Sequence, residues 1–129
     1  MRFKTYRQSD EWESKNLNER LRNIILCLDY FSVAKFGKEI VITDIYRTQE
    51  EQDEIYKKHP NYKKKPWKSV HQFWRGIDIR SSIFEKEEIN ELLFVLNRIP
   101  YDPKRSKKKT AQVHTVGKGL HFHIQVMGE

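Results

Sequence analysis

"SVHQFWRGIDIR", Ser69–Arg80, decides the fold. It sets His71 and Asp78 seven residues apart, a separation that two helical turns would stack on one face. Gly76 and the isoleucines on either side of Asp78 argue against that helix, because glycine interrupts it and β-branched residues suit a strand. The reading is a turn followed by a short strand at about Ile77 to Arg80. Ile77 and Ile79 would then point into a core and Asp78 to the opposite face.

Upstream, Leu17, Leu21, Ile24, Ile25, Leu28 and Phe31 recur at helical spacing from Asn16 to Phe36, and Gly37 supplies a stop. "EIVITDIYR", residues 39–47, is β-branched and aromatic enough to be a strand. Thr48 and Glu51 stand in capping-box spacing and open a second helix, from about Thr48 to Lys58. His59 to Lys68 carries two prolines and a lysine cluster and reads as a loop. Downstream, Ser82 and Glu85 form another capping-box pair ahead of a third helix, whose apolar face is Ile89, Leu92, Leu93 and Leu96 and which Pro100 ends. "AQVHTV" (111–116) and "LHFHIQV" (120–126) flank Gly117-Lys118-Gly119 and read as a β-hairpin. With no internal repeat and no linker, residues 1–129 read as one α+β domain, a small central antiparallel sheet flanked by about three helices.

A chain of 129 residues with a 37% apolar fraction supports one modest core. No apolar run approaches the roughly 18 residues of a membrane span, and the opening "MRFKTYRQSDEWESKNLNER" has no apolar signal region. The chain is therefore expected to be made in the cytoplasm with no secretion address of its own. Cys27, the single cysteine, cannot form an internal disulfide, and its place in a helical apolar pattern predicts a buried core thiol. A formal charge of +7 and a pI near 9.5 imply an acidic partner: nucleic acid, anionic lipid or an anionic cell-wall polymer.

The last strand alternates, with Leu120, Phe122, Ile124 and Val126 on one face and His121, His123 and Gln125 on the other. Such a pair of histidines is either solvated or placed so that one ligates a metal while the other meets water or substrate. A three-residue hairpin loop at Gly117–Gly119 would put Thr115 opposite His121 and His114 opposite Phe122, sending His114 to the other face. His59, beside Lys58, is a poor cation ligand. His71 and Asp78 alone fit a turn-forming His beside a solvated Asp equally well. With His123 they make two imidazoles and one carboxylate, a common catalytic zinc set that leaves one position open.

These residues resemble a known family. The pattern S-x-H-x(6)-D, here Ser69, His71 and Asp78, followed by H-x-H, here His121 and His123, is similar to the zinc peptidases of the lysostaphin, D-alanyl-D-alanine peptidase and sonic hedgehog superfamily. "YRTQEEQ", with Tyr46, Arg47, Thr48 and Gln52, resembles a stretch of its D-alanyl-D-alanine carboxypeptidase branch. The resemblance runs from about Ile40 to Val126. It implies Zn2+ held by His71, Asp78 and His123, with His121 near the reacting water. It also implies Arg47 on the substrate carbonyl or carboxylate, and Ser69 and Gln52 lining the cleft. This chain departs from the family at Leu120, where the D-alanyl-D-alanine branch has a catalytic carboxylate, at Trp74, where a Gly is expected, and at Asp44-Ile45, where Ser-Gly is expected.

The implied activity is hydrolysis of an amide bond in peptidoglycan stem peptides or crosslinks, by an enzyme released onto the cell wall as phage or prophage lysis enzymes are. Two imidazoles and a carboxylate leave zinc a net positive charge, which suits amide hydrolysis near neutral pH, with His121 exchanging the proton and Arg47 offsetting oxyanion charge. Other readings of the same residues are a catalytically inactive zinc-binding cell-wall recognition module and, less favoured, a basic nucleic-acid-binding protein. Arg47 can also be read as a surface partner of Glu51. Trp67 and Trp74 are candidate cleft walls or core lids, and the lysine runs at 63–65 and 107–109 are solvated loops or attractors for an anionic wall polymer.

Overall fold

Ile42, Ile77, Ile79, Phe122 and Ile124 are completely buried and define the inner face of one sheet. The computed structural model describes residues 1–57, 69–102, 104, 107–114 and 120–128. In chain order they form β1 (Arg2–Phe3), α1 (Tyr6–Trp12), α2 (Glu19–Phe36), β2 (Val41–Asp44) and α3 (Gln49–Tyr56). A 3-10 turn (Val70–Phe73), β3 (Gly76–Arg80), α4 (Lys86–Leu96), β4 (Ala111–His114) and β5 (His121–Gln125) follow. The five strands lie in the order β1-β2-β3-β5-β4, antiparallel throughout except for the parallel pair β1–β2. The α+β class and single small domain expected from the sequence are found, with a fourth helix and an edge strand added.

The turn-then-strand reading of Ser69–Arg80 holds, with Ile77 and Ile79 paired to Ile124 and Phe122 across β3–β5. Burying an isoleucine side chain contributes roughly 1.5–3 kcal/mol, so the inner face alone is a large part of the driving force. Leu21, Ile25 and Leu28 of α2 and Leu92 and Leu96 of α4 close it from one side. Asn18 caps α2 by accepting the Leu21 amide at 3.0 Å, and Gly37 ends it at φ 67°. Thr48 and Glu51 cap α3 reciprocally.

Several local expectations are corrected. α4 is capped by Glu85 with Glu88, three residues beyond Ser82, because Ile83 and Phe84 pack on the core before the helix begins. Cys27 is exposed: the buried stripe of α2 runs through Ile24, Ile25 and Leu28 and leaves position 27 outside it. α1 carries no apolar periodicity. It is held by Thr5 and Gln8 at its start and by Trp12, whose ring lies 6.3 Å from Phe3 and 5.1 Å from the Arg22 guanidinium carbon. The loop expected at His59–Lys68, the Gly117–Gly119 turn and Trp67 lie outside the described residues.

The register of β4 also differs from the expected one. His114 lies opposite His121, and Val113 opposite Phe122. Six residues, 115–120, separate the two strands, so the pairing is one step away from that of a three-residue loop, and one step moves every side chain to the other face. His114 is thereby brought to the face of His121 and His123. No helix among the described residues is long and apolar enough to cross a membrane.

Candidate metal centre

β3 and β5 pair Asp78 directly with His123, and β2 brings Asp44 alongside Asp78. Alternation sends Asp78 and His123 to the face opposite the isoleucine core, and Asp44, two residues after the core residue Ile42, joins them because the register of β2 shifts between Ile42 and Asp44. His71 arrives from the 3-10 turn, where the Ser69 hydroxyl accepts the His71 amide at 3.2 Å and Gln72 returns a bond to the Ser69 amide at 2.9 Å. Trp74 ends that turn in the left-handed region, φ 60° and ψ 32°. That conformation favours glycine and costs another residue about 1 kcal/mol. Stacking on Tyr46 at 4.6 Å and 16° offsets a comparable amount. Trp74 thus packs on Tyr46 and the core and does not line the cleft over His71.

Asp78 is the hub, with no exposed surface. Its Oδ1 lies 3.2 Å from His71 Nε2 and 2.8 Å from His123 Nδ1. Its Oδ2 lies 3.3 Å from Arg47 Nη2 and 3.4 Å from His121 Nε2. The far nitrogens of the two imidazoles are also engaged: His71 Nδ1 is 2.9 Å from the Ile45 carbonyl and His123 Nε2 is 3.1 Å from Gln125 Oε1. With Nδ1 donating to the carbonyl, His71 turns Nε2 to Asp78 as a lone pair in the neutral ring and as an N–H donor in the imidazolium. The same holds for His123 Nδ1 when Nε2 donates to Gln125. Burial alone would push the Asp78 carboxyl up, but the charges and hydrogen bonds of His71 and His123 outweigh it and hold the group well below the usual carboxylate range.

Two imidazole nitrogens thus converge on one carboxylate oxygen, where protons or a metal ion can bridge them. His71, Asp78 and His123 present ligand atoms all within 4.8 Å of one another, so this buried group can hold a metal ion. Bonds of 2.0–2.1 Å at tetrahedral angles imply ligand atoms about 3.3 Å apart; the two separations from Asp78 Oδ1 are 2.8 and 3.2 Å. The Ile45 carbonyl and Gln125 supply the outer hydrogen bonds that orient metal-bound imidazoles.

A cleft of about 300 Å3 opens over this group, lined among others by Arg47, Gln52, Ser69, His71, His114 and His123. Arg47 is buried and points inward. Its surface pairing with Glu51 does not form, because Glu51 instead receives Arg7 at 2.5 Å. Gln52 is also buried and accepts Arg47 Nη1 at 3.1 Å. His121 is 4% exposed and is not among the cleft-lining residues; the half-buried His114 is, with its ring 4.3 Å from that of His121. His114 Nδ1 is buried without a hydrogen-bond partner among the described residues. Burial first, then the neighbouring His121 and His123, push His114 down to about 4, so it is neutral at pH 7. Sequence reasoning missed His114 because it turned on the hairpin register; Gln125 was legible from the alternation that carries His121 and His123.

Gly76 has a packing reason to be glycine: a Cβ there would stand 2.5 Å from Val70 Cγ2 and 3.3 Å from His123 Cε1. Val70 is β-branched and cannot swing away freely. Gly76→Ala is expected to cost roughly 1–3 kcal/mol in urea unfolding. Val70→Ala in the same chain should recover part of that loss, and a neutral Gly76→Ala would show that the turn is not packed this tightly. No family model, curated protein or solved structure matches the chain.

Proposed function

We propose that the chain is a zinc-dependent hydrolase that cuts an amide bond in peptidoglycan stem peptides or their crosslinks. The observation that carries the reading is the convergence of His71 Nε2, Asp78 Oδ1 and His123 Nδ1 beneath a cleft. The donor set is nitrogen, nitrogen and oxygen, borderline-soft and short of four ligands, which suits zinc with one open position. Zinc, when bound there, supplies a Lewis acid at the floor of the cleft. The choice of peptidoglycan comes from the resemblance of Ser69, His71, Asp78, His121 and His123 to the zinc-peptidase pattern, and a positively charged chain suits an anionic wall.

The chain's own residues divide the remaining work. His114, neutral and facing the cleft, exchanges a proton with the reacting groups. His121, packed against His114 and within 3.4 Å of Asp78 Oδ2, holds that imidazole in place. Ser69 and Gln52 line the wall against which a peptide backbone would lie.

A second reading keeps the metal and drops the chemistry, giving a cell-wall recognition module. It is favoured by Leu120, which is 56% exposed where the D-alanyl-D-alanine branch that the chain resembles has a carboxylate, and by the cleft lining, which among the described residues contains no Asp or Glu. Metal analysis of the purified protein and mass spectrometry of murein digested with it separate the readings. The hydrolase should carry about one zinc per chain and release stem peptides, and a chelator or His123→Ala should stop the release. Zinc with inert murein leaves the recognition module, and no stoichiometric metal ends both.

A further inference from the structure

We propose that Asp44 and Arg47 form an outer tether that dictates which oxygen of Asp78 faces the two imidazoles, making Arg47 a positioning residue of the metal centre and not the anchor for a substrate carboxylate. The inference rests on the metal reading of His71, Asp78 and His123 and departs from the role that the family resemblance implies for Arg47.

Arg47 uses each guanidinium nitrogen on a protein partner. Nε donates to Asp44 Oδ2 at 2.6 Å, Nη1 to Gln52 Oε1 at 3.1 Å and Nη2 to Asp78 Oδ2 at 3.3 Å. Its side chain is 6% exposed and Asp44 is 13% exposed, so both members of their pair are largely shielded from water. The backbone fixes the same arrangement. Asp44 sits in register with Asp78 across β2–β3, and the Arg47 amide reaches the His71 carbonyl at 3.4 Å, tying the tether to the strand and turn that carry two of the ligands.

The consequence follows from carboxylate geometry. The terminal torsion of an aspartate is soft, so an unrestrained Asp78 could turn either oxygen, or both, toward a cation. The hydrogen bond from Arg47 engages Oδ2, which has His121 Nε2 within 3.4 Å, while the nitrogens of His71 and His123 meet Oδ1. The tether therefore presents a one-oxygen ligand. A substrate carboxylate arriving at Arg47 would have to displace Asp44 or Asp78, each already held by a charge-assisted hydrogen bond. Outer partners of this kind typically alter metal affinity 10–100-fold.

The test uses the full chain as wild type, Arg47→Met, Arg47→Lys and Asp44→Asn. Each is titrated with Zn2+ against a chromophoric chelator and with Co2+ while the visible absorption of the bound ion is recorded. Arg47→Met should weaken Zn2+ about 10–100-fold and change the position and intensity of the Co2+ bands, as a second Asp78 oxygen enters. Asp44→Asn should move both readouts in the same direction by less, and Arg47→Lys should recover part of the affinity through a single contact to Asp78. A purely structural role would lower the melting temperature and leave the Co2+ spectrum of the folded protein unchanged. If Arg47→Met does not fold, Asp44→Asn decides on the same readouts. Unchanged spectrum and affinity in the folded variants overturn the tether while the metal centre stands; wild type that takes up neither ion overturns both.

Discussion

Asp78→Ala is expected to cost the fold roughly 3–5 kcal/mol, the typical effect of removing one partner from a buried charge cluster. The carboxylate is fully buried and meets four side chains, His71, His123, Arg47 and His121. Without it, Arg47 keeps Asp44 and Gln52 but presents its Nη2 edge to an empty space, and His71 loses the group that its Nε2 faces. A domain of this size has about 5–15 kcal/mol in total, so the variant should unfold in mild urea or fail to accumulate. Asp78→Asn, which keeps the volume and one acceptor, should be milder in stability yet equally unable to form the metal centre. The pH dependence has a defined sign. The carboxyl is held well below its ordinary value, so its contribution is complete above the unfolded pKa near 3.9 and is lost as pH falls through the lower folded value. Wild type should therefore lose stability as acid protonates Asp78, and Asp78→Asn should show a flatter acid limb in urea melts between about pH 5 and pH 2. A loss below about 1 kcal/mol for Asp78→Ala would mean that the cluster is not the hub of the fold.

What the chain reveals without a structure follows from how local each determinant is. His71, Asp78 and His123 were legible because Gly76 breaks any helix between the first two and strict alternation along residues 120–126 sets the face of the third. The core face of the sheet was legible from the same alternation. Partner choice was less so. Whether Arg47 meets Glu51, its near neighbour, or Asp78, far along the chain, depends on β2 and β3 pairing, and Arg7 arrives from α1 to take Glu51. Trp74 looked like an intrusion into the cleft at a position where the family it resembles is expected to have glycine. Its left-handed backbone explains the glycine, and Tyr46, which offsets the strain, is a tertiary contact. Helical periodicity around Cys27 was broad enough to include one residue too many. The hairpin register was the costliest misreading, because Gly-Lys-Gly suggested a short loop and one residue of slip decides which face carries His114.

That slip supplies the second large prediction. On the hydrolase reading, His114→Phe is expected to lower the rate of stem-peptide release by about 100- to 10,000-fold, the usual range for losing a positioned acid or base. Phenylalanine keeps an aromatic ring against His121, so zinc content and melting temperature should change little. His121→Phe is expected to act more weakly, because His121 is 4% exposed, packs behind His114 and points its Nε2 at Asp78. The geometry sets this order: His114 lines the cleft, which His121 does not, and is held neutral with its pKa pushed down to about 4. The burial that keeps this imidazole neutral also makes it a weak base, so the proposed role rests on its place in the cleft and not on its pKa. Removing both histidines should cost little more than removing His114 alone, since residues acting as one unit are strongly non-additive. Rates measured on wild type, both single variants and the double variant, each loaded with equal zinc, decide the matter. Full activity in His114→Phe with none in His121→Phe would return the proton-transfer role to His121, as the family resemblance implies. Equal small losses in both would leave proton exchange to solvent.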